Sequence, residues 1–589
     1  MESTENQPVQ GPDSAHLPRV LVLDADLPPA LTIARSLHRH GVHVEVASHL
    51  ARPLAKMSRT VSAHHRYPDP LEHEIDFVDW IGDALLNPSY DLIIPVTERT
   101  VTPLLKHRGG LSDARLAMAP SEALAVVLDK SRTMALAEAL SIPTPQGILI
   151  EDFGELDQVE RLLSFPVVIK PVSSVGSSSS RNVQLSVSYG RTREELQAQA
   201  RHALRYGSIL VQEYFAGDGV GIELIADHGH IEYAFQHKRL HEVPLTGGGS
   251  SLRMSVPIVP ALLDASRRLI EVLKWHGVAM VEFKYQPETG AFRLMEINGR
   301  FWGSLPLAVA AGADFPRMLY ELLVQGKVGP CRPYRDGIYC RQLARDVAWL
   351  EQVLRREAPA GLVTLPKKRQ VVGDTALCLS PRHYFDVQTW RDPWPGMVDL
   401  GRIAIGYLTR FASRWQERRE LSRARAAWQD GTVARRLASA RNVLFLCYGN
   451  INRSAVAEAY ARPRLPHLTV CSAGFHAEAG RAADPTMTDV AATAGIDMLR
   501  WSSSTLTPPM IQDADAIFVM ELAHRQRLLE GFPEAADKIF LMGMATADNA
   551  RDGEIADPYG QSIARYQAIF DQVTRAVDRI VELIPRAAS

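Results

Sequence analysis

The sequence has few cysteines, no long hydrophobic run and no excess of charge of either sign. It contains 5 Cys in 589 residues, none of them in a Cys-x-x-Cys pair, which argues against a disulfide framework or a zinc site. No uninterrupted apolar run approaches the roughly 18 residues that a membrane span needs, and the N-terminus lacks a basic segment followed by an apolar one. We therefore expect a cytoplasmic protein without a transmembrane segment.

The charge balance also excludes a general affinity for nucleic acid. Lys and Arg total 65, Asp and Glu total 67, and the formal net charge is −2, so the chain as a whole carries no basic excess. Its 46% hydrophobic and 22% charged residues are ordinary for a globular protein. We expect no nucleic-acid partner.

The order of strand and helix patterns predicts an α/β multidomain protein. The length allows about three to five domains. Strand–helix alternation opens the chain, antiparallel hairpins follow, and alternation resumes near the C-terminus. The expected divisions are a disordered tail at 1–17, a small α/β domain at 18–120, a hairpin-rich domain at 121–325, an extension with a helical linker at 326–440, and a compact parallel-sheet α/β domain at 441–589.

One segment before the last domain is rich in arginine. Residues 410–441 hold nine Arg against three acidic residues, and their helical spacing is broken at Gly431. A solvated helical linker would give this pattern, and so would a contact site for an acidic partner or a membrane surface. We favour the linker.

The loop at residues 447–454 reads Cys-Tyr-Gly-Asn-Ile-Asn-Arg-Ser, between an apolar strand pattern and a run of good helix formers. A loop that leads into a helix N-terminus points backbone N–H groups and the positive end of the dipole at one spot, which suits a phosphate. The same field favours the nucleophilic thiolate of Cys447. The planar guanidinium of Arg453 can bind two phosphate oxygens. The loop predicts phosphate-monoester chemistry through a cysteinyl-phosphate.

Two lysines in the central region lie in sequence contexts typical of phosphate contacts. Lys130 follows Asp129 at the start of a helical run, and Lys170 ends an apolar strand. A Ser/Gly loop at 173–180 follows Lys170, and such a loop can wrap phosphates with backbone N–H groups. Taken alone this signal is weak, because Ser/Gly loops are commonly just flexible.

A predicted hairpin at residues 278–300 carries stronger chemistry. Side chains alternate along strands with period two, so Glu282 shares a face with Lys284, and Glu296 shares a face with Asn298 and Arg300. Two carboxylates and an amide oxygen on one sheet face form a hard-oxygen site suited to Mg²⁺, with Mn²⁺ also possible. The alternative is a solvated face with cross-strand charge pairs. Interleaved Met and Trp residues favour the metal site.

With these residues in hand, residues 18–325 resemble the ATP-grasp superfamily, in particular its carboxylate–amine ligase-like members. Four pieces match in order: the Asp129-Lys130 pair, the strand ending at Lys170 with its loop, the Val-Gln-Glu-Tyr-Phe segment at 211–215, and the hairpin with Met-Glu-Ile-Asn-Gly-Arg at 295–300. The resemblance implies a small preceding α/β domain followed by two α+β subdomains.

The resemblance also implies residue roles. Lys130 and Lys170 would hold ATP phosphates, and Lys238 would join the cofactor site close to Arg239 on the acceptor side. Arg300 would steady the transferred phosphoryl group or the carboxylate. Glu213 would be the main polar contact of a hinge that frames adenine, and Glu282, Glu296 and Asn298 would hold Mg²⁺. The hinge residues would be Gln212, Glu213, Tyr214 and Phe215.

The implied reaction follows a clear chemical logic. A carboxylate is a poor acyl donor, whereas the acyl phosphate formed with the ATP γ-phosphoryl group can be attacked by an amine or a thiol. Cations offset the charge that repels a carboxylate from ATP. The expected substrates are a small-molecule carboxylate and an amine, and the products are ADP, phosphate and an amide. A small-molecule kinase that stops at phosphoryl transfer is the alternative.

Residues 442–589 resemble low-molecular-weight protein tyrosine phosphatases. By this resemblance Cys447 attacks phosphorus, Arg453 binds the phosphate oxygens, Ser454 steadies the thiolate and Asn450 props the loop. In the Asp-Pro-Tyr segment, Asp557 would protonate the leaving oxygen and Tyr559 would line the pocket. The substrate would be a phosphomonoester or a phosphotyrosine protein.

The loop departs from the family at two positions. The family commonly has a second Cys before the Arg, where this chain has Asn452, and a Pro after the Ser, where this chain has Ala455. Loss of that Cys removes a disulfide partner that protects the nucleophile from over-oxidation. Thioredoxin-coupled arsenate reduction needs more cysteines downstream than Cys471, so we do not expect that activity.

The whole chain is therefore expected to be a bifunctional enzyme, an ATP-dependent ligase fused to a phosphatase. The phosphatase could act on a metabolite of the ligase pathway or on tyrosine in a protein. A regulatory alternative has a phosphotyrosine-binding domain that gates the ligase. The sequence decides neither this choice nor the oligomeric state.

Overall fold

A computed structural model describes residues 18–585 except 87–89, 112–114, 173–174, 178–181, 185 and 359–360. The expected tail at 1–17 and most of the Ser/Gly loop lie outside the described residues. The chain divides into two compact units, Met1–Ala404 and Ile405–Ser589. No helix among the described residues is long and apolar enough to cross a membrane.

The first unit opens with a parallel sheet. Val20, Leu21 and Val22 are fully buried because both faces of such a sheet are covered. Pro28 stands at the start of the first helix, where its missing N–H removes no hydrogen bond. Strand order is β3-β2-β1-β4. The elements are β1 (Arg19–Val22), α1 (Pro28–Arg39), β2 (His43–Ser48), β3 (Ala63–Arg66), α2 (Glu74–Leu86), β4 (Leu92–Ile94) and α3 (Glu98–Lys106).

A four-stranded antiparallel sheet with the order β5-β10-β6-β9 follows. The Asp129 side chain caps α5 by accepting from the backbone N–H groups of Ser131 and Arg132. The elements are α4 (Ser121–Val127), α5 (Lys130–Ala139), β5 (Gly147–Ile150), α6 (Asp157–Leu162), β6 (Val167–Pro171), β7 (Val175–Ser177), β8 (Asn182–Gln184), β9 (Ser188–Gly190), α7 (Arg193–Ala203) and β10 (Ile209–Glu213).

A seven-stranded sheet with the order β15-β14-β11-β12-β13-β16-β17 forms the rest of the site framework. Its strands alternate as expected: Val281 and Phe283 are buried, while Glu282 keeps partial access to solvent. The elements are β11 (Asp218–Asp227), β12 (His230–Val243), β13 (Gly249–Ser255), α8 (Pro260–Val272), β14 (Gly277–Tyr285), β15 (Phe292–Asn298), α9 (Leu305–Ala311), α10 (Phe315–Gln325), β16 (Tyr339–Arg341), α11 (Leu343–Arg355), α12 (Lys368–Ala376) and β17 (His383–Phe385).

The boundary between the two units falls within a 37-residue helix, α13 (Pro393–Gln429). The helical pattern breaks where predicted, because Gly431 has φ +78° and α14 (Thr432–Ala438) starts after it. The predicted domain boundaries at 120, 325 and 440 stay predictions.

The second unit is built on a parallel sheet with the order β19-β18-β20-β21. Helix α19 packs a buried face that includes Phe570 and Val573 into its core. With the hairpin sheets of the first unit, this confirms the predicted α/β multidomain fold. The elements are β18 (Asn442–Cys447), α15 (Arg453–Ala461), β19 (Thr469–Gly474), α16 (Pro485–Thr493), α17 (Pro508–Asp513), β20 (Ala516–Val519), α18 (Leu522–Gly531), β21 (Ile539–Leu541) and α19 (Ile563–Leu583).

Short 3₁₀ helices connect many of these elements. They comprise Ala55–Met57, Arg108–Gly110, Phe153–Leu156, Leu204–Tyr206, Leu377–Leu379, Arg462–Arg464, Pro533–Asp537, Met542–Ala545 and Ala550–Asp552.

Candidate functional sites

The predicted nucleophile of the second unit lies at the end of a buried strand. Cys447 is the last residue of β18 and is 2% exposed. Its Sγ accepts from the backbone N–H of Asn450 at 3.2 Å and lies 3.0 Å from Ser454 Oγ. Helix α15 begins six residues later, at Arg453. Hydrogen bonds from an N–H and a hydroxyl stabilise a thiolate over a thiol.

Asn450 fixes the shape of the loop. Its backbone takes the left-handed conformation, with φ +53°, a strained geometry that Asn tolerates better than most residues. Its Nδ2 donates to Ser454 Oγ at 3.0 Å and to Ser472 Oγ at 2.7 Å. Its Oδ1 accepts from the backbone N–H of Ser504 at 2.7 Å. These bonds tie Asn450 to three other parts of the unit, and its role in propping the loop stays a prediction.

A glycine on the neighbouring strand makes room for this loop. A Cβ at Gly474 would lie 2.7 Å from the Tyr448 backbone oxygen and 2.9 Å from the Asn450 nitrogen. These are backbone atoms, so a side chain at this position would force the loop to move. Nothing in the sequence pattern predicts this packing.

Arg453 is buried at 1% exposure and is held by oxygens from two segments. Its Nη2 donates to Asp557 Oδ2 at 2.8 Å, and its Nη1 donates to the Ile555 carbonyl at 2.8 Å. Nη1 also pairs with Glu521. Nothing in the sequence pattern predicts this contact of Glu521. The predicted acid and the predicted anion-binding cation are in direct contact.

The surroundings of the loop carry aromatic and basic side chains. Tyr448 is 50% exposed and Tyr559 is 64% exposed. The Arg527 guanidinium lies 4.9 Å from the ring centre of Phe475. Burial, with the Arg453 cation, lowers the pKa of His524 to about 4, so this imidazole is neutral at physiological pH.

The departures from the family pattern are visible in the structure. Asn452 occupies the N-cap position of α15, but its side chain makes no capping hydrogen bond. Its Oδ1 is buried and has no hydrogen-bond partner among the described residues. All five cysteines are free, and burial raises the pKa of Cys471, which makes it a poor nucleophile.

The first unit contains a cavity of about 700 Å³. Its lining includes most of the predicted nucleotide and metal residues, but Lys130 and Lys238 are not among the described lining residues. Lys238 Nζ lies 2.6 Å from Asp218 instead. The predicted residues in the lining are Lys170, Gln212, Glu213, Tyr214, Phe215, Glu282, Glu296, Asn298 and Arg300.

The three predicted metal ligands converge. Glu282 and Glu296 are cross-strand partners on β14 and β15, and Asn298 Nδ2 donates to their carboxylates at 3.2 and 3.4 Å. Burial raises the pKa of Glu282, and the charge of Arg239 offsets this only in part. Two facing carboxylates repel one another, and a divalent cation between these hard-oxygen donors would relieve that repulsion. The residues therefore fit Mg²⁺.

Lysines supply positive charge next to the carboxylates. Burial lowers the pKa of Lys170 to about 8, and the Lys130 cation adds to this against the opposing charge of Glu296. Burial works to raise the pKa of Glu296, yet Lys130, Lys170 and Arg300 outweigh it and hold that pKa below its ordinary value. Lys130 therefore acts on the site electrostatically.

The predicted hinge lies at the end of β10. Gln212 is 1% exposed, and its buried Oε1 has no hydrogen-bond partner among the residues that the structure describes. Glu213 Oε1 accepts from the Gln146 backbone N–H at 3.2 Å, and the Tyr214 hydroxyl donates to the Leu362 carbonyl at 2.7 Å. Phe215 stacks under the Arg293 guanidinium at 4.8 Å. An orphaned amide oxygen amid aromatic rings suits a planar base with N–H donors.

Several residues that line the cavity could not be predicted from the sequence, because they come from segments far from the predicted nucleotide and metal residues. Arg300 Nη2 donates to Glu98 Oε1 at 3.0 Å, and Arg99 pairs with Asp24 and Asp26. Arg345 lies on α11, within the segment 326–440 for which the sequence predicts no chemistry. None of these residues has a motif, since only the fold brings them to the cavity.

Comparison with known proteins places the second unit. Residues 442–588 match the family model for low molecular weight phosphotyrosine protein phosphatase. A probable low molecular weight protein-tyrosine-phosphatase, EpsP of Ralstonia nicotianae, is 33% identical over 144 residues, which is 24% of this chain and 96% of that protein. The chain belongs to this family. A protein-arginine-phosphatase of Geobacillus stearothermophilus is 36% identical over 141 residues, covering 24% of this chain and 93% of that protein.

A segment of the first unit matches a different family model. Residues 205–345 match the model described as ATP-grasp in the biosynthetic pathway with Ter operon. A crystal structure of an L-amino acid ligase from Bacillus licheniformis is 16% identical, covers 54% of this chain and 78% of that chain, and has a TM-score of 0.43. The chain thus joins a region that matches an ATP-grasp family model to a low-molecular-weight phosphatase region.

Proposed function

We propose that the chain is a bifunctional enzyme that forms an amide from a carboxylate and an amine at the cost of ATP, and hydrolyses phosphate esters through Cys447. One observation carries the phosphatase proposal: Cys447 Sγ, Arg453 and Asp557 form one connected cluster, with Arg453 Nη2 2.8 Å from Asp557. Nucleophile, anion binder and acid are the three groups that this reaction needs.

Each group has a defined step. The Cys447 thiolate, stabilised by Ser454, attacks phosphorus and breaks the bond to the ester oxygen, which takes a proton from Asp557. Water then attacks phosphorus and gives a proton to the Asp557 carboxylate, while the S–P bond breaks, which regenerates the Cys447 thiolate and releases inorganic phosphate. Arg453 exchanges its carboxylate partners for two phosphate oxygens. Backbone N–H groups of the loop bind the remaining oxygens.

We propose phosphotyrosine as the preferred substrate class. The exposed rings of Tyr448 and Tyr559 can contact an aromatic leaving group, and aromatic pairs stabilise one another. Hydrolysis of matched peptides carrying phosphotyrosine, phosphoarginine or phosphoserine tests this. A preference for phosphotyrosine of about tenfold or more supports it, and faster phosphoarginine hydrolysis contradicts it.

In the ATP-grasp region, Glu282, Glu296 and Asn298 would hold Mg²⁺, and Mn²⁺ is the other cation with suitable ligand preferences. When bound, the cation supplies charge neutralisation between the nucleotide phosphates and the incoming carboxylate. Lys170 offers a cation to the phosphates, while the hinge at Gln212 and Glu213 frames the base. Arg300, released from Glu98, positions the carboxylate for attack on the γ-phosphorus.

The proposed ligase reaction has two steps. A carboxylate oxygen attacks the γ-phosphorus and ADP leaves, giving an acyl phosphate. The amine nitrogen attacks the acyl carbon, loses a proton, and phosphate leaves with the oxygen that bridged it to carbon. We test this with the Cys447→Ser chain, ATP, Mg²⁺, hydroxylamine and a panel of amino acids. Mass spectrometry should find a hydroxamate, and phosphorylated acid without hydroxamate contradicts a ligase.

We also propose a cytoplasmic location, since both reactions use intracellular nucleotides or phosphoesters. The domain divisions 18–120, 121–325, 326–440 and 441–589 belong to the same proposal. Limited proteolysis with mass spectrometry of the fragments tests those divisions, and stable fragments that end elsewhere contradict them.

A further inference from the structure

One part of the ATP-grasp cavity lining contributes hydrogen-bond donors and no acidic residue of its own. The lining carboxylate across the strand pair from Ser250, that of Glu242, is already paired with Arg239 and Lys284. Three segments meet there, residues 247–250, 302–304 and 342–345, and none of the lining residues they contribute is acidic. Backbone bonds join the segments: Gln342 donates its N–H to the Ser251 carbonyl at 2.8 Å. The remainder of the cavity has both signs of charge, so this part differs in chemistry.

Arg345, on α11, brings a free guanidinium to this part of the lining. A Cβ built on Gly249 would lie 1.5 Å from Arg345 Nη1, so the guanidinium rests directly on the glycine loop. The other arginines of the lining form ion pairs with carboxylates, as Arg239 does with Glu282 and Arg300 with Glu98, while Lys170 is attracted by the nearby charge of Glu296. Within the described residues, Arg345 has neither a hydrogen bond nor an ion pair.

Two more donors in this part of the lining lack acceptors. Trp302 is 1% exposed and its Nε1 is buried without a partner, and Ser250 Oγ is likewise buried and unpartnered among the described atoms. Buried donors are rarely left unpaired in folded proteins. The Ser304 hydroxyl is excluded from this set because it already donates to Glu223 at 2.6 Å.

A buried ion pair holds these donors in place. Arg253 pairs with Asp386, both about 1% exposed, and its guanidinium also donates to the Ser250 carbonyl at 3.2 Å and the Gly303 carbonyl at 3.3 Å. Asp386 neutralises Arg253, so Arg345 carries the uncompensated charge. An acceptor-rich anion is the chemistry that such a donor set binds.

We infer that Arg345, Trp302 and Ser250 form an oxyanion subsite for a second anionic group on the ligase substrate, in addition to the carboxylate that is activated. The group is a carboxylate or a phosphate ester, which share the same acceptor geometry. This inference rests on the proposed ligase function and names the class of its substrate, an acid or amine that carries an extra negative charge.

The test compares substrates that differ in one anionic group. The Cys447→Ser chain is assayed for ADP release and hydroxamate formation with glutamate against glutamine, aspartate against asparagine, and phosphoserine against serine. We expect the charged member of at least one pair to be preferred by about tenfold or more. Preference for the amino dicarboxylates indicates a carboxylate, and preference for phosphoserine indicates a phosphate ester. Equal use of all pairs overturns the inference and leaves the ligase function standing.

Variants assign the preference to Arg345. Arg345→Ala should raise KM for the charged substrate about tenfold or more with a smaller change in kcat, and Arg345→Lys should restore part of it. Gly249→Ala should act in the same direction, because its methyl group occupies the position of Arg345 Nη1. Arg332→Ala, an exposed arginine outside the cavity, is the control. An unchanged preference in Arg345→Ala overturns the inference.

A binding measurement separates this inference from the proposed function. Calorimetry with glutarate against butyrate needs no turnover, and we expect glutarate to bind to the Cys447→Ser chain and to lose about tenfold in affinity in its Arg345→Ala form. Such binding without ADP release from any acid would sustain the subsite and refute the ligase. Equal glutarate affinity in the Arg345→Ala and Arg332→Ala forms would overturn the subsite whatever the enzyme activity.

Discussion

The two sites of this chain are built in different ways. In the phosphatase region the predicted nucleophile, the predicted anion-binding cation and the predicted loop support all come from the eight residues 447–454, and Asp557 and Glu521 contact Arg453 from elsewhere. The ATP-grasp cavity is lined from residue 26 to residue 345. A contiguous site can be predicted almost whole from a motif, whereas a dispersed one emerges only from the fold.

The arginines of the two sites also differ in their ion pairs. In the phosphatase, Arg453 is neutralised by the carboxylates that flank it, so a phosphate must displace Asp557 from direct contact. In the cavity, Arg239 and Arg300 are paired, yet Arg345 is not. We infer from this difference that the phosphatase binds one anionic group, whereas the cavity can bind a second anionic group through Arg345.

The largest expected effect separates the two sites outright. Cys447→Ser removes the nucleophile, so phosphatase kcat should fall by about 10³-fold or more, while ADP release is unchanged. Cys471→Ser is the matched control, since that thiol lies outside the nucleophile loop. A parallel loss of ADP release in Cys447→Ser would show that the two sites are coupled and would contradict their independence.

Asp557→Asn should lower kcat by about 10²- to 10³-fold for phenyl phosphate, because phenoxide leaves poorly without a proton. The loss should be smaller for p-nitrophenyl phosphate, whose leaving group needs less help. Steady-state kinetics with the two esters measures the contrast. Equal losses for both esters would mean that Asp557 acts only by holding Arg453.

Glu296→Gln should lower ADP release by about 10²-fold because it removes one of the carboxylates available to Mg²⁺. Phosphatase activity should not change. Glu288→Gln, an exposed residue in the β14–β15 turn, is the control. Added Mn²⁺ in millimolar excess should recover part of the lost rate if the defect is in cation affinity, and a normal rate in Glu296→Gln would refute the metal role.

Gly474→Ala should have the smallest effect, about a tenfold loss of phosphatase kcat and about 1–3 kcal/mol of stability of the second unit, since the new methyl group meets backbone atoms of the loop. Gly531→Ala meets nothing within 4 Å and is the control. Urea unfolding and phosphatase assays measure both quantities. Wild-type activity in Gly474→Ala would mean that the loop shape is not set by this contact.

Sequence patterns predicted the fold class, the phosphate loop and the carboxylate hairpin because each is local. Cys447, Asn450 and Arg453 are fixed by a strand, a turn and a helix start that a few residues specify. Lys238 illustrates the limit. Neighbouring strand residues face opposite ways, so Arg239 lines the cavity while Lys238 pairs with Asp218. The nucleotide contact predicted for Lys238 stays a prediction.

Glu98 and Arg345 could not be predicted for another reason. Each lies in a segment whose own pattern indicates only a helix, and each reaches the cavity through packing between segments far apart in sequence. Neither the charge pattern nor the residue spacing of the two segments predicts that these side chains reach the cavity. The Ser/Gly loop at 173–180 was predicted to bind phosphates, and that prediction remains untested since the loop falls largely outside the described residues.

The most direct test of the account follows one oxygen atom. With the Cys447→Ser chain, ATP, Mg²⁺ and an amine, the acid substrate is labelled with ¹⁸O in its carboxylate, and the released phosphate is weighed by mass spectrometry. Acyl-phosphate formation predicts that each phosphate carries one ¹⁸O from the acid, because the bridging oxygen leaves with phosphorus. Unlabelled phosphate, or a stable phosphorylated product, would contradict the central claim that the ATP-grasp region is a carboxylate–amine ligase.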